Sequence, residues 1–388
     1  MFSTETIAKF STTPTPFYAY DLALLENTLI ACQKQADSYN YHVHYALKAN
    51  FNERVVKMIQ QYGFGVDCVS GNEVTKAIEL NFKPHQIVFA GVGKSDKEIT
   101  EALNKDIFCF NVESLQELEV INQLAGNISK KARIAIRLNP NVDAKTHQYI
   151  TTGLEENKFG INAWELDHLK EIIQRSSHIE LLGIHFHVGS QITDLSVFQN
   201  LCYKVNEMQN WFTEQGFHIK ILNVGGGLGV NYQEPDSDAI PDFDSYFSLF
   251  NRHLQIQSGQ EVHFELGRSL VAQSGSLIAR VLYTKKGLKK NIVILDAGMT
   301  ELMRPALYQA YHKIENLSQY QGTTEFVTYD VVGPICESSD TFAKNLSLPV
   351  TQRGNLIAIR TAGAYGEVMA SRYNLRDTIR HLYVEGDN

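Results

Sequence analysis

Lys48 stands in the string HYALKAN (44–50), at the end of a short apolar run and just before a helix-like one. A lysine is poorly suited to a strand end that leads into packed structure, so a task for its amine has to be sought. Other apolar runs also carry or end in groups capable of chemistry. Asp67 lies in GVDCVS, Arg137 in RIAIRLN, and His187 in LLGIHFHVG with Ser190 just after it. Gly225, Gly226 and Gly227 follow ILNV, and VHFELG carries Glu265 ahead of Arg268. Each has an ordinary explanation when read singly. Lys48 is then a snorkelling or ion-paired lysine, His187 a satisfied core histidine, and GGGLG a sharp turn. As a set they describe one kind of site. An amine forms a Schiff base with an aldehyde, and a glycine-rich turn lets backbone N–H groups approach a phosphate. An imidazole stacks on a planar ring, and a carboxylate keeps a pyridine nitrogen protonated. The cofactor with those parts is pyridoxal 5′-phosphate. The glycines are not a dinucleotide fingerprint: the G-x-G-x-x-G spacing fails, and NYQEPDSDA follows where a helix should open. His185 and His187 share a strand face but have no third ligand of suitable type nearby, so no metal is expected there.

The elements that must position these groups repeat from about residue 40. Mostly apolar runs at 42–48, 65–70, 87–91, 108–112, 133–139, 181–189, 221–226 and 262–267 are rich in Val, Ile and Phe. Several lack clean polar alternation, as strands buried on both faces should. Amphipathic stretches separate them. NERVVKMIQQYG sets Val55, Val56 and Ile59 on one face, and SLQELEVINQLAG begins with a serine cap, has Glu117 three residues later and ends at Gly126. Eight strands and seven helices, with DLALLENTLIACQKQA before the first strand as an eighth, predict an α/β fold of the (β/α)8 barrel type. An open doubly wound sheet is the rival. In a barrel, the strand C-termini carry function, and the polar groups collect there. After about residue 270 the chain turns strand-like with little helix, which predicts a mainly β C-terminal domain. The expected division is 21–270 for a cofactor-binding barrel, with 1–20 and 271–388 in the β domain; the first 20 residues also read as strand-like.

Composition bounds the function. The 388 residues are 44% hydrophobic and 20% charged, with a net charge of −8. That is ordinary for a globular protein and argues against nucleic acid or an anionic membrane as the main partner. The five cysteines are scattered and odd in number, which fits free thiols in a reducing cytoplasm better than a disulfide framework. The N-terminal residues have neither the basic start nor the apolar core of a signal peptide.

Longer blocks carry a resemblance. YALKAN, GVDCVSGNE, NPNVDAKTHQYITTGLEENKFGI, HFHVGSQI, VGGGLGV, ELGRSLVA, GMTELMRPALYQAYH, GPICESSDTFA and GAYGEVMASRYNLR occur in order and cover nearly the whole chain. The chain resembles the diaminopimelate decarboxylases, within the wider group of fold-type III decarboxylases that includes those acting on ornithine and arginine. The resemblance implies that Lys48 bonds the cofactor aldehyde, His187 stacks on the ring, Ser190 and Gly225–Gly227 bind phosphate, and Glu265 contacts the ring nitrogen. Asp67, Arg137 and Tyr365 fall in the cofactor set. Arg268, Arg304, Tyr308, Glu337 and Tyr365 fall in the substrate set. Cys336 is implied as the proton donor, directly or through water; Cys336 and Glu337 match a loop that reaches the partner subunit's site in a homodimer. Leu266 stands where the family has proline, and Ser338 where glycine or alanine is common. The implied reaction converts meso-2,6-diaminopimelate to L-lysine and carbon dioxide. The alternatives are a relative acting on carboxynorspermidine, ornithine or arginine, or a homologue that binds the cofactor without catalysis. Retention of Lys48, Glu265 and Cys336 together opposes the last.

Overall fold

Short runs rich in Val, Ile and Phe need cover on both faces, and a closed barrel wrapped in helices provides it. The computed structural model describes residues 2–142, 158–319 and 325–385. The block at 143–157, which falls in the diaminopimelate-like string, lies outside the described residues. The first strand, β1, is Phe17–Asp21; β2 is Tyr41–Ala46, β3 Gly65–Cys68, β4 Ile87–Phe89 and β5 Cys109–Val112. Next come β6 at Ala132–Arg137, β7 at Ile179–His185, β8 at Ile221–Asn223 and β9 at Glu261–Leu266. Strands β2 to β9 form a closed barrel in sequence order, and β2 pairs in parallel with β9 to shut it. The doubly wound alternative is thereby ruled out.

The helices form where the apolar period and caps predict. Asn52 accepts from the N–H groups of Arg54 and Val55 to start Glu53–Gln61, which buries Val55, Val56 and Ile59. Ser114 accepts from Glu117 N and starts Leu115–Asn127. That helix runs through Gly126, one residue past the expected stop. Strand direction is equally legible in β9. Phe264 packs against Tyr246, Phe247 and Phe250 of the helix Phe243–His253. With a side-chain period of two, Glu261, His263 and Glu265 therefore face the barrel interior.

The β part contains β10 (Gly275–Lys286), β11 (Asn291–Leu295), β12 (Ile314–Asn316), β13 (Phe326–Val332), β14 (Thr341–Pro349), β15 (Leu356–Ile359) and β16 (Arg380–Val384). They pair in the order β12-β15-β10-β11-β13-β14, with β1 between β10 and β16. Strand β14 carries Lys344, Asn345 and Ser347 toward solvent, so an apolar-run reading passes over it. The strand-like reading of the N-terminus holds for β1 but not before it. Thr4–Thr12 is a helix, capped by Ser3, whose side chain accepts from Thr6 N. Phe10 of that helix is buried with Phe17, Ile278 and Leu356.

Two compact units result. One is Leu29–Gly229 with Asp242–Gly267; the other is Met1–Thr28, Val230–Pro241 and Arg268–Asn388. The chain leaves the barrel after its glycine loop, spends 230–241 in the β unit, and returns. No helix among the described residues is long and apolar enough to cross a membrane.

Candidate active site

Within the barrel unit, Lys48 lies in a single 3-10 turn directly after β2. Its Nζ is 3.9 Å from Oδ2 of Asp67 on the neighbouring strand β3. Asp67 is buried, and neither carboxylate oxygen has a hydrogen-bond partner among the described residues. Burial, then the nearby charge of Glu265, pushes the Asp67 carboxyl well above its usual range, although Lys48 pulls the other way.

Glu265 has the opposite environment. Oε1 accepts from Asn111 Nδ2 at 2.9 Å and Asn223 Nδ2 at 2.8 Å, and Oε2 faces His185 Nε2 at 3.1 Å. Burial alone would raise this carboxyl, but His185, by charge and hydrogen bond, and then Lys48 hold it below the usual carboxylate range. The two interior carboxyls are thus pushed in opposite directions, Glu265 down and Asp67 up. That divergence is what a site with distinct acid and base duties requires.

The glycine loop is built by backbone proximity. Gly225 and Gly227 have φ of +70° and +112°, conformations that favour glycine. A Cβ on Gly226 would sit 1.9 Å from the Glu265 carbonyl oxygen, and one on Gly225 2.2 Å from that of Phe186. Ile192 N donates to Gly227 O, and Gly229 N to Ile192 O, each at 2.9 Å. These bonds lace the turn carrying Ser190 to the glycine loop. His187 Nδ1 receives Gly226 N at 3.4 Å. Exclusion of water, followed by the positive charges of Arg137 and Lys48, holds the His187 imidazole well below its ordinary value and therefore neutral. Arg137, at the end of β6, is buried and paired with Glu113 Oε1 at 2.7 Å. Glu113 also accepts from Gly91 N and Gly160 N, so it fixes both the arginine and two neighbouring loops.

The β unit carries a second cluster. Arg268 Nη1 and Arg304 Nη1 both donate to the phenol oxygen of Tyr232, at 2.7 and 3.0 Å. Arg304 lies 5.0 Å from the Tyr232 ring and Arg268 4.8 Å from the Tyr365 ring, within cation–π range. Arg304 Nη1 also meets His312 Nε2 at 2.8 Å, while His312 Nδ1 faces the Arg360 carbonyl at 2.9 Å. The carbonyl demands a proton on Nδ1, so Nε2 is the acceptor for the guanidinium. Tyr308 ends the short helix begun by Arg304 and lies among the groups acting on the Arg268 charge.

Cys336 and Glu337 project from the exposed turn between β13 and β14. Asp340 buttresses that turn from within, accepting from Ile335 N at 2.7 Å and Met299 N at 2.6 Å. Tyr373 Oη donates to Glu337 Oε1 at 2.9 Å. Of the five free cysteines, Cys336 alone is exposed.

Sequence reasoning passed over Tyr232, His312, Glu113, Asn111, Asn223 and Tyr373, and it weighed His185 only as a metal ligand. Asn111 and Asn223 did leave a signal, as amides inside otherwise apolar strands. Tyr232 and His312 left none, since loop tyrosines and histidines are common and 80 residues separate these two.

The barrel residues fit pyridoxal phosphate. An amine stands beside an orphaned buried carboxyl, a turn of bare backbone admits no Cβ, an ionised carboxylate is held on three donors, and a neutral imidazole is at hand. A (β/α)8 barrel with that set has the parts of a pyridoxal-phosphate enzyme. A family model described as "Pyridoxal-dependent decarboxylase, pyridoxal binding domain" matches residues 22–272. The diaminopimelate decarboxylase of Bacteroides thetaiotaomicron is 51% identical over 372 residues, covering 96% of this chain and 96% of that one. The Aquifex aeolicus enzyme of the same name is 40% identical over 371 residues, 96% of this chain and 87% of its own. The crystal structure of the Helicobacter pylori diaminopimelate decarboxylase complexed with L-lysine superposes with a TM-score of 0.91 at 40% identity, covering 97% of this chain and 93% of that one. The chain belongs to the diaminopimelate decarboxylase family.

Proposed function

We propose that the protein converts meso-2,6-diaminopimelate to L-lysine and carbon dioxide, using pyridoxal phosphate. The observation that carries the reading is the convergence of two buried guanidinium groups, Arg268 and Arg304, on one phenol oxygen. Positive charge concentrated in this way suits a retained carboxylate, which guanidinium binds through paired charge-assisted hydrogen bonds. Diaminopimelate keeps a distal carboxylate after decarboxylation. Ornithine and arginine have none. The family's named activity supports the same choice.

Lys48 would hold the cofactor through its amine, His187 would lie against the ring, and Ser190 with Gly225–Gly227 would receive the phosphate. Bound there, the cofactor supplies a sink for the electron pair left at the substrate Cα when carbon dioxide departs. Glu265, ionised and fixed by Asn111, Asn223 and His185, keeps a proton on the ring nitrogen. Burial shifts the Asp67 carboxyl the opposite way, which disfavours a second negative charge near Glu265. Burial keeps the His187 ring neutral, and Arg137, fixed by Glu113, adds positive charge that acts the same way. The Cys336 thiol would deliver the proton that replaces carbon dioxide at Cα. Glu337, oriented by Tyr373, would pair with the distal ammonium, while Arg268, Arg304, Tyr308 and Tyr365 recognise the distal carboxylate. A pocket reading both signs of charge selects this substrate over diamino acids lacking one of them.

The protein acts in the cytoplasm as a homodimer, each site drawing Lys48 from one subunit and Cys336 from the other. In this reading 21–270 is the cofactor-binding domain, and the remainder supplies substrate contacts and the interface. The test is release of carbon dioxide from meso-diaminopimelate, with ornithine and arginine alongside. Faster release from either competitor overturns the substrate assignment. Borohydride treatment should fix pyridoxal phosphate on Lys48, and a label mapped elsewhere rejects the cofactor assignment.

A further inference from the structure

The interior of the barrel is polar at its base as well as at its functional end. His42 and His44 lie on β2, and Glu261 and His263 on β9, the first and last barrel strands. The parallel register sets His42 directly beside His263. Glu261 precedes His263 by two residues and shares its face of β9. His263 Nε2 is 3.1 Å from Glu261 Oε2, and His42 Nε2 is 3.9 Å from the same oxygen. The three candidate ligand atoms all lie within 4.8 Å of one another.

A tetrahedral zinc with ligands at 2.0–2.1 Å needs ligand atoms about 3.4 Å apart. His42 and Glu261 have exposed side chains, so small rotations of these two close the set on the fixed His263. His263 is buried, and its other nitrogen, Nδ1, is 2.9 Å from His44 Nε2. A metal-ligating histidine characteristically engages its second nitrogen with a neighbour that fixes ring and tautomer, and His44 stands in that place. None of the four takes part in the proposed decarboxylation. His42 and Glu261 stand at the strand N-termini, whereas barrel enzymes build their active sites at the C-termini.

We propose that His42, Glu261 and His263 form a zinc-class divalent metal site that clasps the barrel seam. Two imidazoles and one carboxylate are a set that zinc accepts, with water completing the shell. Because the ligands come from the first and last strands, the ion would cross-link residues more than 200 positions apart, so binding is linked to closure of the barrel.

The experiment uses tag-free protein loaded with pyridoxal phosphate, treated with EDTA and desalted. Zinc chloride is titrated by calorimetry, and thermal unfolding is followed with and without zinc. About one zinc per chain should bind to the wild type and raise its unfolding temperature. The double variant His42→Asn/Glu261→Gln changes two exposed side chains and should fold normally. It should lose that equivalent and the temperature rise, while decarboxylating as the wild type does. Equal zinc stoichiometry in both proteins, or no zinc bound by the wild type, overturns the site. Both readouts are independent of the decarboxylase reading.

Discussion

Arg304 Nη1 lies 2.8 Å from His312 Nε2, on the accepting side of an imidazole whose other nitrogen is committed to the Arg360 carbonyl. The histidine therefore orients a guanidinium without adding charge to it. Its own protonation would destroy the contact, placing two cations face to face. His312 is a positioning residue in this arrangement, and its replacement should act through binding. His312→Ala should raise KM for diaminopimelate about tenfold to a hundredfold, as the loss of about 1.5–3 kcal/mol from a hydrogen bond to a charged group predicts, with kcat little changed. His312→Gln, whose amide oxygen can accept from Arg304, should recover part of the loss. Steady-state kinetics on the two variants would reject the role if kcat fell and KM did not move.

The same histidine predicts a pH dependence of stability. Burial, followed by the charge of Arg304, lowers its folded value from 6.5 to about 3; the hydrogen bond to the Arg360 carbonyl opposes the shift, and the charge of Arg268 adds a lesser push downward. The Tyr232 ring packs perpendicular to the imidazole, with ring centroids 5.2 Å apart. Between those values the unfolded chain binds a proton that the folded chain does not. Stability from this residue is therefore complete above about pH 6.5 and falls progressively toward pH 3. The slope is about 1.4 kcal/mol per pH unit. Denaturant unfolding of wild type and His312→Gln between pH 6.5 and 4.5 should differ in slope by about one proton. Parallel curves would show that His312 is not neutral in the folded protein.

Glu337 projects from an exposed turn that Asp340 supports from beneath, so Glu337→Ala should fold normally and still lose turnover. Losing the charged partner of a bound ammonium costs about 2–5 kcal/mol, equivalent to a fall in kcat/KM of at least about thirtyfold. Tyr373→Phe, which removes only the donor to Glu337, should have a smaller effect in the same direction. Near-normal kcat/KM in Glu337→Ala would remove the residue from the substrate set.

The two-subunit site can be tested by complementation. Lys48→Ala and Cys336→Ala proteins should each be nearly inactive. When they are mixed under conditions that exchange subunits, about half the dimers are mixed, and each of those has one intact site. Activity should then rise to about a quarter of wild type, by the symmetry of a two-fold dimer. If both residues served one chain's own site, no mixture would restore an intact one. Activity that stays at baseline despite proven exchange would refute the shared site.

Much of this protein was written locally. The eight apolar runs, the capping residues Asn52 and Ser114, and the turn of glycines are short-range features, because burial, helix starts and positive φ are decided by neighbouring residues. Lys48, Asp67, His187 and Glu265 were legible for the same reason: each interrupts an apolar strand or ends one. The helix at Thr4–Thr12 and the strand β14 were less legible, since their polar residues face solvent and only pairing or packing with distant segments selects their conformation. The roles of those legible residues depended on the tertiary structure. Asp67 and Glu265 are both carboxyls in apolar strands, and nothing local distinguishes them. Three donors from β5, β7 and β8 favour the anion of one, while burial without hydrogen-bond partners among the described residues pushes the other carboxyl up. Likewise Tyr232 and His312 acquire meaning only when folding brings segments 80 residues apart onto the same guanidinium. Electrostatic environment belongs to the assembled neighbourhood, and a linear string records residue types without their distances.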